Sequence, residues 1–229
     1  MSKKVITAVN GVLITAILVL NIFYQLNGFD FTLKCVCSGG FALLGIINLC
    51  YAYRQKQEGM RWYVCMALGL LLAMLGDVLI GYDFIVGAAT FALGHVCFVV
   101  AYCLMYPLQK WDGIISGAVF AGAAAFLLFC PWLTFDPPLF RVVCIVYALI
   151  ISCMLGKAAG NLVRTKNAVT GVIFAASVLF FFSDLMLVLD WFIGRWSWTE
   201  HACMGTYYPA LCLLALSMLL MMSSKPRRA

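Results

Sequence analysis

Apolar positions in this chain come in long unbroken runs rather than in alternation. Short clusters of charge, glycine and proline separate them. Eight runs of roughly twenty residues fall at about 5–25, 33–53, 61–82, 84–106, 112–130, 139–160, 169–190 and 202–222. Each is long enough to cross the hydrocarbon core of a bilayer as a helix. The breaks carry the expected residues: Asn27-Gly28, Gln55-Lys56-Gln57-Glu58-Gly59 and Asp136-Pro137-Pro138. The pattern predicts an all-α polytopic membrane protein, a single transmembrane domain over residues 1–229 with eight transmembrane helices. The run after Met1-Ser2-Lys3-Lys4 is too long for a signal peptide and lacks a small-residue cleavage site, so it reads as the first spanning helix.

Composition sharpens this picture. Hydrophobic residues make up 65% of the chain and charged residues 10%, too little polar surface for a soluble globule. With both termini cytoplasmic, the inner side receives Lys3, Lys4, Arg54, Lys56, Arg61, Lys110, Lys157, Arg164, Lys166, Lys225, Arg227 and Arg228. The outer side receives only Lys34, Arg141 and Arg195. This asymmetry is the positive-inside pattern, and it holds at every loop only for an even helix count. The net charge of +6 therefore reflects membrane topology, and no folded basic surface exists for a nucleic-acid partner. Trp62 and Trp111 fall at inner boundaries, and Trp132, Trp191, Trp196 and Trp198 at outer ones, as interfacial belts require. In the absence of a eukaryotic targeting signal, a bacterial inner membrane is the simplest location. The eleven cysteines form no C-x-x-C pair, which argues against a metal site, and no cofactor is expected. Cys35, Cys37, Cys130 and Cys203 approach the outer face, where one disulfide is an open alternative.

Two aspartates interrupt the apolar runs. Asp77 follows Gly76 in the third segment, and Asp184 follows Ser183 in the seventh. A carboxyl at mid-bilayer costs about 2.5–3.5 kcal/mol even on the lenient insertion scale, so each marks a candidate functional site. Asp77 lies about five residues from the outer end of its segment and Asp184 about six, which places both roughly 8–9 Å inside the same face. Tyr147, Tyr207 and Tyr208 fall near that level, and His95 lies deeper, flooring a cavity that opens outward. Adjacent helix positions point about 100° apart, so only one of Tyr207 and Tyr208 is expected at the cavity centre, the other being an interfacial aromatic. Two carboxyls held close together cannot easily both ionise and tend to share a proton, giving one acid and one base. Structural glue between helices is the bland alternative for each. Asn21, Asn48 and Asn161 read as interhelical hydrogen-bonders. Gly76-Asp77 with Asp83 is echoed 107 residues later by Ser183-Asp184 with Asp190. A 4+4 internal repeat accounts for the echo, and chance similarity between apolar helices competes with it.

Leu75-Gly76-Asp77-Val78-Leu79, Phe91-Ala92-Leu93-Gly94-His95, the stretch from Phe174 to Ser183-Asp184-Leu185, and Thr206-Tyr207-Tyr208 together resemble the YhhN-like lysoplasmalogenase family. The resemblance covers nearly the whole chain and rests on the ordered set, because G-D or S-D alone is unspecific. It implies a membrane hydrolase, without a cofactor, that cleaves the vinyl ether bond of a lysophospholipid to a fatty aldehyde and a glycerophospho-base. The family's acid/base aspartates carry over to Asp77 and Asp184, its helix-four histidine to His95, and its helix-eight tyrosine to Tyr207 or Tyr208. The substrate would enter laterally between helices from the membrane lipid, with its head group at the outer mouth. Arg141 and Arg195 are candidates for its phosphate, with snorkelling to the lipid head groups as the competing role. The chain departs from the family where Phe98 replaces an aromatic hydroxyl and where Pro209-Ala210-Leu211 lacks a glutamine.

Other classes remain in view. Intramembrane aspartyl proteases also pair two aspartates with a Pro-Ala-Leu motif, but here the Gly-Asp site comes first and lacks the extra preceding glycine. A proton-coupled transporter using the same aspartates, or a non-catalytic lipid-binding protein, is the alternative from outside catalysis.

Overall fold

A computed structural model describes residues 2–193, 196 and 198–223. The chain forms α1 (Lys3–Leu26), α2 (Phe31–Arg54), α3 (Met60–Leu79), α4 (Phe84–Met105), α5 (Lys110–Phe129), α6 (Leu139–Thr165), α7 (Ala168–Phe192) and α8 (Thr199–Ser223), each long and apolar enough to cross a membrane. Their starts are fixed locally. Asp30, Asp83 and Asn167 accept hydrogen bonds from the backbone of Leu33, Val86 and Thr170 at 2.8–2.9 Å, satisfying amides that the first helical turn leaves unpaired. Asp83, exposed at the head of α4, is thus that helix's cap.

The helices are joined by small-residue contacts and buried amides, as expected where lipid supplies no hydrophobic drive to associate. A Cβ at Gly76 would come within 2.8 Å of the Phe91 ring, and one at Gly69 within 2.5 Å of Phe98, so α3 and α4 approach closely only because those positions are glycine. Asn10 and Asn48 exchange hydrogen bonds of 2.9 Å, and Asn48 also donates to Ala215 O at 2.9 Å. Asn21 donates to Met204 O and Asn161 to Tyr102 O, so all three expected asparagines bridge helices. All eleven cysteines are free.

Neighbouring helices pack in sequence within α1–α4 and within α5–α8. Across the two halves α8 packs on α1, α2 and α3, and α6 packs on α4. The α2–α8 and α4–α6 pairings exchange when every helix number is shifted by four, whereas α1–α8 and α3–α8 have no such counterpart among the described residues.

α5 is an outrigger, packed against α6 alone among the described helices, with only Asp112 and Leu127 buried. Its N-terminal end is clamped. The Asp112 carboxylate accepts from Lys157 Nζ at 2.9 Å, from Arg164 at 2.6 and 3.2 Å and from the Gln109 backbone at 3.0 Å. Lys157 is 1% exposed, so this inner-side charge belongs to the bundle interior and not to a loop. A methyl group at Gly160 would overlap the Asp112 carboxylate, whereas one at Gly113 meets nothing within 4 Å. Gly160→Ala is therefore expected to cost about 1–3 kcal/mol through overpacking. It should lower the melting temperature of the purified protein, while Gly113→Ala should leave it equal or raise it.

Tryptophan placement departs from expectation once. Trp111, Trp132, Trp191, Trp196 and Trp198 are exposed at helix ends, but Trp62 is 4% exposed and packs edge-on against Tyr63 at 4.9 Å.

Candidate intramembrane aspartate site

α3 and α7 deliver Asp77 and Asp184 to the wall of one small cavity of about 20 Å³, bounded also by Lys34, Phe91, Ser183, Cys203 and Tyr207. That volume has room for about one water molecule. The shared level expected from counting residues is thus realised. Gly76 and Ser183, the small residues before each aspartate, have separate uses. Gly76 admits the Phe91 ring, and Ser183 Oγ lies 3.5 Å from Cys203 Sγ.

The two carboxyls sit in different surroundings. Asp77 is engaged at both oxygens: Lys34 Nζ lies 3.2 Å from Oδ1, and Oδ2 accepts from Ser38 Oγ and from Tyr208 OH at 3.3 Å. Its side chain is 3% exposed. Asp184 is engaged at one oxygen only. Oδ2 accepts from Tyr147 OH at 2.8 Å and lies 3.3 Å from His95 Nε2. Oδ1 has no hydrogen-bond partner among the described residues, and the side chain is 10% exposed, facing the cavities. His95 Nε2 also meets Tyr147 OH at 2.7 Å, and its Nδ1 lies 3.2 Å from Met154 Sδ. His95, Tyr147 and Asp184 therefore form one hydrogen-bonded cluster from α4, α6 and α7.

Each aspartate is served from both halves of the chain. Asp77 on α3 draws on α2 and α8, and Asp184 on α7 draws on α6 and α4. The two sets correspond under a shift of four helices, as the α2–α8 and α4–α6 contacts do.

Both tyrosines of the Tyr207-Tyr208 pair are buried, at 3% and 0% exposure, so neither faces lipid as an interfacial aromatic. Tyr208 reaches Asp77. Tyr207 lines the cavity and donates to Ala73 O at 3.1 Å. The physical reason is that α8 runs through the bundle centre, touching α1, α2, α3 and α7, so both sides of the helix meet protein. His95 supports the site from behind Tyr147 and does not line the cavity as a floor. Arg141 lies 5.1 Å over the Phe135 ring and lines none of the cavities described here. Arg195 lies outside the described residues.

Lys34 and Ser38 went unforeseen. They stand four residues apart on α2 and so share the face turned to Asp77. Lys34 also lines a vestibule of about 580 Å³, together with Tyr24, Asp190, Trp191 and Glu200, which adjoins the small cavity through Ile80, Leu187, Cys203 and Met204. Asp190 accepts from Thr199 Oγ1 at 3.0 Å. Phe98 is fully buried against Gly69, and Leu211 is fully buried in the core; neither lines the cavity or the vestibule. The two departures from the family pattern therefore fall in helix packing.

Eight apolar helices with two carboxyls sunk into one water-sized cavity define an integral membrane protein with an intramembrane aspartate site. The sequence profile of the YhhN family matches residues 36–218, and the chain belongs to that family. It is 32% identical over 158 residues to the lysoplasmalogenase TMEM86A of Bos taurus, a match covering 66% of this chain. That match spans only 63% of the relative's own length. No solved structure matches the chain.

Proposed function

We propose that this protein is a lysoplasmalogenase, hydrolysing the vinyl ether bond of a lysophospholipid by acid/base catalysis between Asp184 and Asp77. The observation that carries the reading is the unequal pair of carboxyls around one water-sized cavity. A vinyl ether is cleaved by protonating its outer alkene carbon and then adding water to the resulting cation, which requires an acid and a base on either side of the reacting carbons.

The surroundings favour one assignment of the roles. Asp77 meets an ammonium and two hydroxyls, the partner set of a resting carboxylate, and either hydroxyl can turn to accept once Asp77 has taken a proton. Asp184 lines the cavity with Oδ2 fixed by Tyr147 and Oδ1 without a hydrogen-bond partner among the described residues, so Oδ1 is the oxygen left to carry a proton for substrate. Asp184 donates its proton to the alkene carbon farther from the ether oxygen. The electron pair of the double bond forms the new C–H bond, and the carbon beside oxygen becomes an oxocarbenium ion. Asp77 takes a proton from the cavity water as that water adds to the cation, giving a hemiacetal. The hemiacetal hydroxyl then releases its proton while the bond to the glycerol oxygen breaks and that oxygen is protonated. The products are a fatty aldehyde and a glycerophospho-base. Net transfer of one proton from Asp77 back to Asp184 restores the pair. The logic parallels glycoside cleavage, where two carboxyls also flank an oxocarbenium-like transition state.

Lys34 borders both the vestibule and the cavity and is a stronger candidate for the phosphate than Arg141, and Arg195 stays a candidate beside it. The chain would sit with both termini in the cytoplasm, in a bacterial inner membrane, the vestibule opening to the far side. Purified protein should release long-chain aldehyde from a lysoplasmalogen in detergent, without added metal. Unchanged substrate carried across sealed vesicles, with no aldehyde formed, would instead establish a transporter.

A further inference from the structure

We propose that the groove between α5, α6 and α7 holds the alkenyl chain of the substrate; this rests on the lysoplasmalogenase reading. The groove has a volume of about 390 Å³ and is lined by Ala118, Gly122 and Phe126 of α5, Ala148 of α6 and Leu185 of α7, among other apolar residues. Asp184 and Tyr147 are its only lining residues with a side-chain oxygen. The same two residues bound a further pocket of about 30 Å³ with Phe91, and Asp184 also faces the small cavity beside Asp77. The groove therefore adjoins the reacting level, with the proposed acid in the wall between them.

Its shape suits one chain. On α5 the lining positions 118, 119, 122, 123, 126 and 127 share a face, and Ala118 to Leu127 covers about 13–14 Å along the axis. The long axis follows the helices, the direction in which a lipid chain lies in a leaflet. α5 touches no helix but α6, so the groove is open sideways to the hydrocarbon, and the Asp112 clamp holds its far end in register. A chain entering here places its first alkene carbon, the one to be protonated, nearest Asp184. The ether oxygen and head group then fall toward Asp77, Lys34 and the vestibule. The order of groups along the substrate thus matches the order of acid, base and ammonium in the protein.

Gly122 sets the usable length. A Cβ there meets nothing within 4 Å, so a larger side chain enters the groove without colliding with another helix. Gly122→Leu should lower kcat/KM for an octadecenyl substrate by about tenfold or more relative to an octenyl one, the range a hydrophobic pocket yields when several methylenes are displaced. Ala118→Leu, nearer the α5 N-terminus, should shift the cut-off less. Equal loss for both chain lengths would overturn the proposal. A non-hydrolysable octadecyl ether lysophospholipid carrying a diazirine near its chain end gives a readout independent of turnover. It should label α5, α6 or α7 in the wild type and lose that labelling in Gly122→Leu. Labelling with no aldehyde release by any form would sink the hydrolase reading and leave the chain site standing. Labelling abolished equally by bulk phospholipid, or cross-links at this face between two copies of the protein, would assign the groove to the bilayer or to a dimer contact and end the proposal.

Discussion

Asp184→Asn will lower aldehyde release by about a hundred- to ten-thousand-fold, the loss that follows removal of a positioned general acid. The amide oxygen still accepts from Tyr147, so the cluster with His95 keeps its geometry and the protein should purify as the wild type does. What disappears is the transferable proton on the side facing the cavity. Because protonation of carbon is the slow step in vinyl ether hydrolysis, turnover by the wild type should also be slower in deuterated water. Turnover by Asp184→Asn near that of the wild type would remove this residue from the chemistry.

Asp77→Asn has an equal effect on activity and a second one on stability. The substitution leaves Lys34 facing a neutral amide across 3.2 Å, with its side chain only 12% exposed. Removing one partner of a buried pair costs about 3–5 kcal/mol. The vestibule beside Lys34 lets in solvent, so the lower end of that range applies. A second change, Lys34→Met, removes the stranded charge and should restore much of the melting temperature of Asp77→Asn, but none of its activity. Recovery of both together would mean that Asp77 only holds the bundle together.

The eight helices, their short connections and the matched depth of the two aspartates were legible because each follows from run length and residue counting. Tyr147 was within reach by the same count, as was His95, although counting could not tell that its ring packs against both Tyr147 OH and Asp184 Oδ2 instead of flooring the cavity. Lys34 was not. It was read as one of three outer-side charges, and the stripe Lys34, Ser38, Phe41, Gly45 and Asn48 on one face of α2 was not followed outward from Asn48. Ser38, one turn further along, was passed over with it. Lys34 also lies just before the stretch that the family profile matches, so the resemblance was silent there. Lys157 misled in the opposite way: its charge was assigned to the inner surface, but the Asp112 carboxylate draws it into the bundle. Both errors come from treating lysine as a topology marker. A lysine near a span end has a stem long enough to reach a carboxylate within the bundle, and only the partner's position shows which way it turns.

The pairing of each carboxyl with residues from both halves bears on how the protein is made. Asp77 acquires Lys34 and Ser38 early in synthesis but Tyr208 only when the eighth span arrives. Asp184 finds His95 and Tyr147 already in the bilayer as it emerges. A nascent chain halted after four spans therefore has Asp77 without Tyr208 and no Asp184 at all, so the cavity between the two carboxyls takes shape only once all eight spans are in place.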